Sequence, residues 1–225
     1  MNRTKGASAS SKPDVLSAQQ RDAPSKTPAT KRGRDTRDKL VVAARDIFSR
    51  SAFADVRIID ITAAAGVANG TFYTYFDTKE AIFREIAAQV LKEMSEAFRG
   101  GARDRDQSLA ERIEANTRRY FACVRENASI ARSIEALQAR DRGVGAVRHE
   151  TLGVGVQRIE SWIRRLQERG LCDPAIEPWA TALALHAMNV SVAYDHLVHR
   201  DAPEETDALL KATTRVWCST LGLDR

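Results

Sequence analysis

Apolar residues recur along this chain at spacings of three and four, and from Leu109 onward no segment reads as strand. That period predicts helices throughout and no sheet. Leu40, Val41, Ala44, Ile47 and Phe48 place a first helix at about 36–51, with Asp35 or Thr36 as its cap. Ile58, Ile61 and Ala65 share one face of a short second helix, for which Asp55 is the candidate cap. Gly66 then supplies the positive φ that a sharp corner needs, and Val67 plugs the corner from below. A third helix over 68–75 is too short to hold alone. Phe72 and Phe76, four apart, can anchor it and leave Asn69, Thr71, Tyr73 and Thr74 facing outward.

Thr78 reads as the cap of a long helix apolar at Ile82, Phe83, Ile86, Val90, Leu91, Met94 and Phe98, ended by Gly100 and Gly101. Leu109, Ile113, Asn116, Tyr120 and Val124 give the next face, and Ile130, Ile134 and Leu137 a short helix. Gly143 and Gly145 interrupt the pattern. It resumes over 147–169 with Leu152, Val156, Ile159, Ile163 and Leu166 and stops at Gly170. Gly153 and Gly155 inside that run mark a possible kink. Pro178 opens a helix to about Arg200, and Pro203 opens the last, which ends before Gly222. The fold class is all-α, with about ten helices.

Composition adds a tail. Residues 1–33 hold almost no large apolar side chains and are expected to be disordered. Residues 1 to 35 carry eight basic against three acidic residues, which equals the whole formal excess of +5. A basic tail beside a helix-turn-helix is an electrostatic footprint for nucleic acid. Cys123, Cys172 and Cys218 show no CxxC spacing, which speaks against a disulfide framework or zinc ribbon and for a reducing cytoplasm. No apolar run approaches the ~20 residues of a membrane span. The N-terminus has no signal-peptide core, so no membrane or secretory role is expected.

The run Ala65-Gly66-Val67-Ala68-Asn69-Gly70-Thr71-Phe72-Tyr73-Thr74-Tyr75-Phe76, followed by Lys79-Glu80-Ala81-Ile82-Phe83, closely resembles the signature of the tetracycline-repressor (TetR) family of transcriptional regulators. The resemblance covers about residues 36–84. It implies a tail at 1–33, a three-helix DNA-binding unit with its helix-turn-helix at 34–84, and a helical effector-binding and dimerisation domain at 85–225. The chain departs from the family pattern at Ala52, usually Gly, at Arg57, usually Ser or Thr, and at Ile59, usually Arg.

The resemblance and the outward polar face together nominate a set of DNA-binding residues. Arg34 would end a basic arm entering the minor groove. Thr36 would touch a phosphate from the start of the first helix, and Arg57 would replace the missing arginine. Asn69, Gly70, Thr71, Tyr73, Thr74 and Tyr75 lie on the recognition helix. Tyr73 and Lys79 would meet phosphates, while Asn69 and Thr71 sit near base edges.

Ligand-binding candidates are Asn116, Tyr120, Trp162, His186 and Asn189, polar or aromatic groups on inward faces of a domain that in relatives holds a mostly apolar pocket. His196 and His199 have metal-ligand spacing, but no third ligand follows, so they read as surface histidines. No Walker-type loop, GxSxG elbow or HExxH occurs, and neither cofactor nor enzymatic activity is expected.

The leading function is therefore a repressor that binds a palindromic double-stranded operator as a homodimer and is released by a small, largely apolar effector. Dimerisation would use the last two helices, with Trp179, Leu183, Leu210, Val216 and Trp217 at the interface. The alternatives are a DNA-binding protein without an effector, architectural or activating, and a helical carrier or enzyme.

Overall fold

The computed structural model describes residues 28–98, 107–200 and 203–223. Among them are nine α-helices and no strand. They are α1 Lys31–Arg50, α2 Ile58–Ala64, α3 Asn69–Tyr75, α4 Lys79–Ala97, α5 Leu109–Glu126, α6 Ala128–Leu137, α7 Arg142–Glu168, α8 Pro178–Ala193 and α9 Thr206–Leu221. A π-helical turn, Tyr194–His199, continues α8, and a 3-10 turn, Pro203–Glu205, leads into α9.

The first helix begins earlier than its apolar stripe implies. Thr30, not Asp35 or Thr36, is the cap, its hydroxyl accepting from the Gly33 amide at 3.1 Å. Lys31, Arg32, Gly33 and Arg34, expected as a basic arm before the first helix, are its first helical turn. The amphipathic period could not find this turn because it is exposed and carries no apolar residue to bury. The expected disorder of the tail concerns residues that lie, up to 27, outside the described ones.

Other boundaries shift for equally local reasons. Asp55 does not cap α2. Residues Phe53–Asp55 form a 3-10 turn, and Asp60 reaches back to accept from the Arg57 amide at 3.2 Å. Ala52 replaces the family's glycine without strain, because its φ is −64°. Gly66 does use a positive φ, +66°. Gly143 and Gly145 lie inside the first turns of α7 rather than interrupting it, and α7 runs unbroken past Gly153 and Gly155. Asp141 caps it, accepting from the Val144 amide at 3.0 Å. The glycine pair expected to end α4 lies outside the described residues.

One apolar core runs from the N-terminal unit into the second half. Phe48, Phe72, Phe76 and Phe83 pack in the same cluster as Phe121, Ile130 and Ile134. Phe48, Phe53 and Phe83 meet ring to ring at 5.0–5.8 Å. Ion pairs flank this seam: Arg37 with Glu85, Arg45 with Glu93, and Arg84 with Asp141. The seam is also closed by Ser129, which donates to the Ser51 carbonyl at 3.2 Å. A second cluster, including Ile159, Ile163, Leu185 and Trp217, fills the far end between α5, α7, α8 and α9. Position 84/85 is thus a point in the middle of a shared helix, α4, with core on both sides of it.

Candidate nucleic-acid interface and effector cavity

α3 is held chiefly by its apolar side, with one long hydrogen bond from the Thr62 hydroxyl to Asn69 Oδ1 at 3.5 Å. Phe72 and Phe76 are fully buried, and Tyr75 is nearly so. The opposite side is left to solvent: Asn69, Gly70 and Thr74 are exposed, and Tyr73 is 49% exposed. Thr71 is half-buried. A Cβ built at Gly70 would meet nothing, so its backbone is open to close approach. The N-terminal turn of α1 stands beside this helix. Thr30, Arg32, Gly33 and Thr36 line one shallow groove with Val67, Ala68, Thr71 and Tyr75. Tyr75 therefore belongs to the core by its ring and to the groove by its edge.

Three nominated cations differ from expectation. Lys79 does not project into solvent. Its Nζ donates to the carbonyls of Phe53 at 2.7 Å and Val56 at 2.8 Å and lies 4.3 Å from the Phe53 ring centre. These carbonyls belong to the tight turn before α2 and have no helical partner there, so the ammonium satisfies them. Arg57 is exposed but bidentate to Asp60, at 2.8 and 3.0 Å, which holds the Asp60 carboxyl below the usual carboxylate range. Arg34 is exposed on α1, its guanidinium donating to the Ala29 carbonyl at 3.3 Å. Thr36 donates to the Arg32 carbonyl at 2.9 Å.

The second half contains a cavity of about 720 Å³ between α4, α5, α7 and α8. Leu91, Met94 and Phe98 of α4 and its C-cap form one wall, with Leu152 and Ile159 of α7 opposite. Four of the five ligand candidates line it: Asn116, Tyr120, Trp162 and His186. Tyr120 stacks on Phe98 at 4.4 Å, and burial pushes its phenol well above the usual range. His186 is buried, neither ring nitrogen has a hydrogen-bond partner, and burial lowers its pKa, so the imidazole is neutral. Asn116 accepts from Arg119 on its own helix.

Asn189 is the exception. It is fully buried away from the cavity and accepts from the Trp217 indole N–H at 3.3 Å. One turn separates it from His186 on α8, and the two side chains serve different layers. Leu210 and Trp217, expected at a subunit interface, are likewise buried within the protomer. His196, expected on the surface, is buried and shares a hydrogen bond with Thr206 at 3.1 Å, while His199 pairs with Glu135 at 3.2 Å. The two histidines therefore turn to different partners.

Sequence reasoning missed Arg148, Arg158 and Phe98 in the cavity wall. Arg148 was findable: it falls four residues from both Val144 and Leu152, inside the apolar stripe of α7.

The sequence model described as "Bacterial regulatory proteins, tetR family" matches residues 40–86. The chain is 40% identical over 55 residues to the uncharacterized HTH-type transcriptional regulator YdgC of Bacillus subtilis, a match spanning 24% of this chain and 28% of that protein. It is 20% identical to the HTH-type transcriptional regulator EthR of Mycobacterium tuberculosis, covering 84% of this chain and 88% of that one. The solved structure of Salmonella enterica GusR superposes with a TM-score of 0.68 at 16% identity, over 87% of this chain and all of that one. Residues 40–86 thus carry the DNA-binding unit of the TetR family of transcriptional regulators, and the chain as a whole is similar in fold to solved TetR-family structures.

Proposed function

We propose that this regulator is a homodimeric repressor, acting in the cytoplasm, whose operator affinity falls when a small, largely apolar effector enters the cavity. The observation that carries this reading is the double use of α4. Its first half, Ala81, Ile82, Phe83 and Ile86, is core for the reading unit, and its second half, Leu91, Met94 and Ser95, walls the cavity. A ligand that fits better when α4 is displaced shifts the population away from the DNA-competent arrangement. Residues 34–84 act as the reading unit and 85–225 as the responding one.

At the DNA, Asn69 and Thr71 stand near base edges, Tyr73 and Thr74 meet phosphates, and Gly70 lets the backbone come close. Arg34, Thr36 and Tyr75 frame the adjoining groove. Arg57 reaches a phosphate only by exchanging Asp60 for it, and Lys79 is assigned no phosphate. A seven-residue α3 reads few base pairs, so two copies set about one helical turn apart, ~34–36 Å, are required. For the pairing surface, Trp179 and Leu183 on α8 and Val216 on α9 are large apolar side chains left exposed, at 54%, 43% and 44%.

The test is a DNA titration on the gene's own upstream region, followed by a ligand screen for release. Binding that no cavity ligand alters would leave a DNA-binding regulator without an effector. By reciprocity, operator DNA must weaken effector binding by the same factor as effector weakens DNA binding.

A further inference from the structure

The cavity is apolar in its walls but not neutral. Arg112, Arg148, Arg158 and Arg165 line it, and among the described residues no aspartate or glutamate does. This imbalance is not inherited from the chain, whose excess charge resides in residues 1–35. The four guanidinium groups differ in setting. Arg112 and Arg165 are exposed, while Arg158 is half-buried and tied to Ser95, donating to its hydroxyl at 2.7 Å and its carbonyl at 3.1 Å.

Arg148 is different. Its guanidinium lies over the Tyr194 ring, 5.2 Å from the centre, and its Nη1 is buried with no hydrogen-bond partner. Its charge acts on both Tyr120 and Tyr194, the two phenols of the cavity wall. Glu135 also acts on Tyr194, but it is paired with His199 and does not line the cavity. A buried guanidinium nitrogen without an acceptor is costly unless an anion completes it. A carboxylate suits it best, because two parallel N–H···O bonds match the fork.

We infer that the cavity takes an anionic amphiphile, a carboxylate on an apolar chain, with its head at Arg148 and its chain along Leu91, Met94 and Leu152. The inference rests on the proposal that this cavity is the effector site. An ammonium head would meet guanidinium groups of its own sign. An alcohol would leave the positive charge of Arg148 without a counter-charge. The cavity volume, about 720 Å³, is within the ~300–1,000 Å³ range of small-molecule sites.

The experiment compares three probes of one chain length, dodecanoate, 1-dodecanol and dodecylamine, below their aggregation limits. Binding to the full-length protein is read by calorimetry and by the fluorescence of Trp162 and Trp217, which both line the cavity. The expected order is dodecanoate tighter than dodecanol by tenfold or more, with dodecylamine weakest. Arg148→Gln should erase the preference for the carboxylate, and Arg148→Lys should keep part of it. The order in the unsubstituted protein is decisive even if Arg148→Gln does not fold. Dodecanol binding as well as dodecanoate would overturn the anionic head while leaving the effector cavity standing. Binding by none of the three would overturn both.

Discussion

Arg84 Nε donates to both carboxylate oxygens of Asp141 at 3.1 Å, and the same carboxylate caps α7. The pair joins α4, next to the reading unit, to the helix that carries Arg148 and Leu152. The side chains are only 15% and 10% exposed. Gly143 makes the approach possible, since a Cβ there would stand 2.5 Å from the Arg84 Cδ. Breaking a largely buried pair from one side is expensive, ~3–5 kcal/mol, and loss of a cap adds ~1. Asp141→Ala should therefore lower unfolding free energy by about 3 kcal/mol or more in urea titrations. It should also weaken the effect of any effector on DNA affinity. Coupling that survives unchanged would show that the signal takes another route.

Lys79 is expected to matter for stability and not for salt dependence. Its two charged hydrogen bonds to the Phe53 and Val56 carbonyls are each of a kind worth ~1.5–3 kcal/mol. Lys79→Ala should destabilise by about 2 kcal/mol and leave the slope of log affinity against log salt as it is. A slope flatter by about one unit would mean that the ammonium leaves these carbonyls for a phosphate on binding.

Two glycines two residues apart on α7 should respond oppositely to alanine. A Cβ at Gly153 meets nothing, so Gly153→Ala should stabilise by about 0.5–1 kcal/mol through helix propensity alone. A Cβ at Gly155 would lie 2.6 Å from His186 Cε1 and 2.8 Å from Nε2. Overpacking costs ~1–3 kcal/mol and outweighs the helix gain. Thermal midpoints of the two variants should bracket that of the parent, and His186→Ala in the Gly155→Ala background should restore part of the loss.

His186 makes stability sensitive to mild acid. Burial lowers its pKa in the folded chain, so below the ordinary histidine value of ~6.5 the unfolded chain binds a proton that the folded chain does not. Its contribution therefore falls as pH drops below about 6.5, until the folded group itself protonates. Denaturant midpoints measured at pH 7.5 and 5.5 should differ less in His186→Gln than in the parent. An equal difference would assign the acid sensitivity to other groups.

The exposed apolar face of α8 and α9 should be the dimer contact. Leu183→Glu places a charge on a side chain that is 43% exposed in the protomer, so the fold should be little affected, within about 0.5 kcal/mol. Sedimentation should show a monomer, and operator affinity should fall with it. A variant that remains dimeric would move the interface elsewhere.

The sequence by itself determined the features that depend on neighbours along the chain. The period of Ile82, Phe83, Ile86 and Val90 fixed a long α4 with one buried side. Gly66 fixed the corner, and Phe72 with Phe76 fixed which side of α3 stays wet. Four of the five cavity candidates were legible because a polar or aromatic group inside an apolar stripe points inward. Tertiary structure decided where a polar group spends its hydrogen bonds. Lys79 looks like a phosphate ligand until the turn at 53–56 is folded against it, presenting two carbonyls without partners. His186 and Asn189 look alike on α8, yet one faces the cavity and the other Trp217, because only the packing of α9 separates them. Leu210 and Trp217 read as interface residues, since burial inside a protomer and burial between protomers leave the same apolar pattern. Helical period reports that a side is covered, and only the fold says by what.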